Sequence, residues 1–151
     1  MKAAGQEFID LRWEHREGQV RVIFPDKHMM VLPIQQAIEA CGAYQNQVAF
    51  QQQFDSLHDE LADWIHQHRD KVEQAFLTNR DGGLLFVVVT KGVEYDPDLE
   101  GDLTELDLAI ANDNDLELIR LHVQALPHIS RDAQRSFLSK GTTIRYLIDG
   151  K

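Results

Sequence analysis

Apolar and polar residues alternate near the start of the chain. In FIDLRWEHREGQVRVIF, Ile9, Leu11 and Trp13 interleave with Asp10, Arg12 and Glu14, and Val20, Val22 and Phe24 interleave with Arg21 and Ile23. A period of two belongs to a half-buried strand, so this stretch predicts a β-hairpin with Gly18 in its polar connection. After Pro25 and Asp26 the short apolar run MMVLP reads as a third strand. Pro33 suits the first turn of a short helix through Ala40, which Gly42 ends.

From Asn46 to Asn79 there is no proline or glycine. Phe50, Phe54, Leu57, Leu61, Trp64, His68, Val72 and Ala75 recur at spacings of four and three, with Ile65 and Phe76 widening the stripe. That spacing predicts one long amphipathic helix, capped at NRDGG. Unbroken, it would run about 50 Å at ~1.5 Å per residue. A domain of this size is only about 40 Å across. The helix must therefore bend, split or project, and a projecting stripe calls for a partner along Phe54, Leu57, Leu61, Trp64 and His68.

The last third changes character. LLFVVV (84–89) is apolar without alternation, as in a strand covered on both faces. A helix is expected over 97–111, a strand over 116–123, a helix over 130–138 and a strand over 143–148. This β-α-β-α-β order favours right-handed crossovers and parallel pairing. The expected fold is α/β, or α+β with that C-terminal half. It is a single mixed sheet extended by the N-terminal hairpin, with one long amphipathic helix and further helices packed on the sheet.

Composition sets bounds around this picture. The chain has 151 residues, 43% of them hydrophobic, and no Pro/Gly/Ser linker, which predicts one globular domain over 1–151. A chain of this length buries roughly two-thirds of its unfolded surface and needs no disulfide or metal to fold. Cys41 is the single cysteine, so no intramolecular disulfide forms, which fits a reducing compartment. No signal peptide and no run of about 20 apolar residues is seen, so a cytoplasmic protein away from membranes is the expectation. The net charge of -10 opposes phosphate backbones and argues against nucleic acid.

Candidate chemistry is sparse. In VEYDPDLEGDLTELD, the residues Asp96, Asp98 and Glu100 with Gly101 resemble the first half of an EF-hand calcium loop. The resemblance covers about a dozen residues, lacks the preceding helix, and has Asp107 where a bidentate Glu is usual. Asp96 as an N-cap, Pro97 at the first helical position and acids in the first turn explain the stretch as a helix start. The three acids are thus weak metal candidates, and no cofactor is implied.

On the long helix, Asp55, Asp59, Asp63, His66, Asp70 and Glu73 fall opposite the apolar stripe. They lack the paired histidines of a zinc helix and read as a solvated acidic face, open to a basic partner. His68 lies on the apolar stripe as a core or seam histidine.

Ligands of parallel α/β sheets bind beyond the carboxyl ends of the strands. Thr90 and Lys91 follow one strand here, and His128, Ser130 and Arg131 another, with Asp149 after the last. No G-x-S-x-G elbow and no phosphate-cradling glycine motif accompanies them. With no catalytic residues assigned, the expected function is a non-catalytic protein–protein interaction module, self-associating as a homodimer or binding another protein, such as a basic one. The alternative is a small-molecule-binding protein or enzyme using the crevice at Thr90, Lys91, His128, Ser130 and Arg131.

Overall fold

Strand β4 (Gly83–Thr90) is buried at every position, which accounts for a run of apolar residues without alternation. Helices cover one of its faces, and Leu126 and Leu138 pack on the other. Around it the computed structural model, which describes residues 7–80, 82–129, 131–138 and 142–148, forms a six-stranded mixed sheet.

In chain order the elements are β1 (Glu7–Arg16), β2 (Gln19–Ile23), α1 (Lys27–Cys41), α2 (Gln47–Gln67), β3 (Val72–Arg80), β4, α3 (Pro97–Ala111), β5 (Leu121–Leu126), α4 (Arg131–Arg135) and β6 (Thr142–Tyr146). The strand order is β2-β1-β6-β3-β4-β5. β1 pairs parallel with β6 and β4 parallel with β5, while β3 lies antiparallel between β6 and β4. The N-terminal hairpin extends one edge through β2.

Helices α1, α2 and α3 pack on the same face, over Ile9, Leu11, Trp13, Leu77, Phe86 and Tyr146. Phe76, Leu85, Val87 and Val89 point to the other face. No helix among the described residues is long and apolar enough to cross a membrane.

The expected long helix is two elements. α2 stops at Gln67, where the backbone N–H of His68 reaches the carbonyls of Trp64 and Ile65, both at 3.1 Å. Residues 72–80 then form β3, paired with β4 from Val72↔Thr90 to Arg80↔Gly83. The error has a physical cause. Val72 and Ala75 continue the helical spacing, but Phe76 and Leu77 are buried on opposite faces, which only a strand allows. The 21 residues of α2 span about 32 Å, which fits the domain.

The segment 27–41 is one helix, with Pro33 inside it rather than a strand followed by a helix. A five-residue apolar run does not distinguish the two states by periodicity. The strand expected over 116–123 begins at Leu121, because 114–116 forms a 3-10 turn that buries Leu116. The helix expected over 130–138 shortens to Arg131–Arg135.

Candidate functional site

At the carboxyl ends of β4 and β5, three of the five crevice residues meet around Gly92. The Thr90 hydroxyl donates to the Gly92 carbonyl at 3.1 Å, and the backbone N–H of His128 donates to the same oxygen at 2.8 Å. The backbone N–H of Lys91 donates to the Lys71 carbonyl at 2.9 Å, leaving its side chain exposed. Ser130, Asp149 and the side chain of Arg131 lie outside the described residues.

Sequence reasoning missed Glu73 here, because it placed that residue on the long helix. As part of β3, Glu73 brings Oε2 to 2.5 Å from Nδ1 of His128, both side chains being partly exposed. A carboxylate orienting an imidazole can bind or shuttle a proton. The Thr90 hydroxyl is buried and already engaged as a donor.

The apolar stripe of α2 is core within the single chain. Phe54, Leu57, Leu61 and Trp64 are buried against the sheet, so the reading that placed them at an intermolecular seam is corrected. The overlong helix that required an external partner does not exist. His68 is partly buried and stacks on Trp64 at 4.1 Å between ring centres. Its Nδ1 donates to the Trp64 carbonyl at 2.7 Å, and Nε2 faces Oδ2 of Asp102 at 3.1 Å, which ties the end of α2 to α3.

The acidic face shrinks as well, since Asp70 and Glu73 leave the helix. Asp59 accepts a hydrogen bond from the backbone N–H of Val22 at 3.2 Å, occupying one donor of the edge strand β2. Asp63 accepts from Gln67 at 2.9 Å.

The acidic loop is the start of α3. Asp96 caps it by accepting the Leu99 N–H at 3.1 Å and pairs with Lys71 at 3.6 Å, with Pro97 first in the helix. The Leu99 hydrogen bond leads the causes that hold the Asp96 carboxyl below its ordinary range. Asp98 and Glu100 lie in the first turn. Among the described residues no three His, Cys, Asp or Glu side chains converge as a metal site.

A feature absent from the sequence reading lies between α1 and α2. Met30, Val31, Ile34, Gln35 and Ile38 run along α1, and Gln47, Val48, Gln51 and Asp55 along α2. Phe24 and Pro25 close one end, and the groove between these walls holds a cavity of about 610 Å³. A tight corner joins the two helices, where Gly42 at φ 66 ends α1 and a 3-10 turn at Tyr44–Asn46 leads into α2. Asp55 is the one carboxylate among the described lining residues. Burial, and then the neighbouring Asp59 carboxylate, push it above the usual range.

The surface around the groove is unusually apolar for so charged a chain. Among the described residues, seven of the eleven large hydrophobic side chains left exposed lie in residues 23–48, and Val48 is 76% exposed. Residues 29–54 carry a single charge, Glu39. At the chain-wide 26%, those 26 residues would carry about seven. This gap in charge is the signal that could have located the surface.

Comparison with protein-family models, with curated proteins and with solved structures finds no match to this chain.

Proposed function

We propose that the protein is a non-catalytic protein–protein interaction module whose contact surface is the α1–α2 groove. The observation that carries this reading is the coincidence of a span with a single charge, residues 29–54, with an open apolar groove built mainly from the same residues. Depletion of charge distinguishes the core of protein interfaces from the rest of a surface. A contiguous apolar patch left to water also lowers solubility, so its retention calls for something that covers it.

Size fractionation of native extract tests the reading. The protein runs above its 17.3 kDa chain mass, and Val48→Glu, which places a charge on an already exposed position, moves it to the mass of a single chain. A wild-type protein already at the single-chain mass counts against the proposal.

A second reading rests on the Glu73–His128 pair at the strand ends, which supports small-molecule binding beside Thr90 and Lys91. It predicts a compound that raises the melting temperature of the wild type and leaves that of Glu73→Gln unchanged. A broad panel of small metabolites that moves neither protein removes the support for it.

A further inference from the structure

We propose that the occupant of the α1–α2 groove is the same groove of a second copy, so that the module is an isologous homodimer with the α2 helices antiparallel across the two-fold axis. This inference rests on the groove being the contact surface. It adds the identity of the partner and the register of the contact.

Charge identifies the partner. Of the net charge of -10, residues 29–54 contribute -1, so -9 lies elsewhere in the chain. Residues 55–117 alone carry -13, so two copies meeting through that part of the surface bring like charges together. Meeting through this face keeps like charges apart. A basic partner, by contrast, would set its cations against Val31, Ile34 and Val48, with only Asp55 among the described lining residues to answer them. The exposed amides Gln35, Gln47 and Gln51 each carry both donors and acceptors, and among the described residues they make no side-chain hydrogen bond. A surface of apolar groups and amides is complementary to itself, which is what a two-fold interface requires.

The register follows from α2. Gln47, Gln51 and Asp55 form one row at intervals of four residues, with Gln51 at its centre. An antiparallel two-fold pairing about that centre sets Gln51 against its own copy. It also sets each Asp55 carboxylate against the amide N–H groups of the partner's Gln47. The single charge among the described lining residues is thereby hydrogen-bonded at both ends of the seam. Val48 lies beside the row and packs across it into the facing groove.

The test is sedimentation velocity on the purified full chain. At about 100 µM, a range in which a standard-size interface is populated, the wild type sediments at twice the 17.3 kDa chain mass. Val48→Glu weakens the dimer by on the order of 100-fold while the melting profile stays that of a folded chain. Gln47→Asp faces the partner's Asp55 and weakens it on the order of tenfold, although an acid at the first position of α2 favours the helix itself. Adding Asp55→Asn restores the association. Gln51→Cys forms an intermolecular disulfide on oxidation, whereas the wild type, whose only thiol at Cys41 is buried, does not.

A folded wild type that stays a single chain at this concentration overturns the homodimer. If Val48→Glu still shrinks the complex in native extract, the groove nevertheless binds a different protein. A dimer insensitive to Val48→Glu, Gln47→Asp and Gln51→Cys overturns both the partner and the surface.

Discussion

His58 shows what burial does to one side chain. It sits on α2 with no exposed surface, between the rings of Phe54 and Phe24, and shares a 2.7 Å hydrogen bond between Nδ1 and the Tyr146 hydroxyl. Burial lowers its pKa from 6.5 to about 3 and, together with the Asp59 carboxylate, lifts that of Tyr146 well above its ordinary value. Between those two His58 values the unfolded imidazole binds a proton that the folded one refuses. The stability held by the neutral ring is therefore present above pH 6.5 and is lost as pH falls toward 3. From about pH 7 to about pH 5.5 the loss from this ring is ~1.3 kcal/mol. Urea unfolding at both pH values measures it, and in His58→Gln the difference between them shrinks by that amount.

Gly83 is a second position where one atom decides. A Cβ there meets the Arg120 carbonyl oxygen at 2.6 Å, and that same oxygen accepts the Leu84 N–H at 2.7 Å. Gly83→Ala must move β4 from β5 or break the bond, and costs about 2 kcal/mol by chemical denaturation. An unchanged midpoint refutes the close approach.

Among the elements, α3 agrees most closely with local rules. Its first residue, capping carboxylate and buried row of Leu99, Leu103 and Ile110 all follow from the sequence. Asp96→Ala removes the cap and the Lys71 contact and lowers the urea midpoint of unfolding, most of the loss coming from the cap. Asp96→Asn keeps an acceptor for Leu99 and recovers the larger part. The contrast with residues 72–80 is instructive. VEQAFLTNR carries no helix breaker and continues a helical stripe, yet it is β3 because β4 and β6 offer its backbone a ladder on each side. Strand propensity of this kind is largely a property of the neighbours.

For the whole molecule, three helices pack on one sheet face, and the groove lies between two of them, α1 and α2. A contact made through it depends little on salt. Raising ionic strength from low to physiological screens the mutual repulsion of two acidic chains and tightens the dimer slightly. An assembly built on the acidic residues of α2 with a basic partner shows the opposite sign and dissociates in salt. Measuring the association constant across salt concentration separates the two.

The sequence alone determined the features that depend on neighbours within a few residues: the alternation of β1 and β2, the unalternating run of β4, and the cap and first turn of α3. Each follows from side-chain period or backbone hydrogen bonding inside one segment. It also contained the charge gap at 29–54, a compositional sign whose meaning appears only when α1 and α2 stand side by side. Tertiary structure decided the rest. The stripe Phe54–Trp64 faces the sheet rather than a second copy, Glu73 reaches His128 across 55 positions of chain, and β3 lies between β6 and β4. A periodic pattern says that a face is buried, but what buries it depends on long-range pairing.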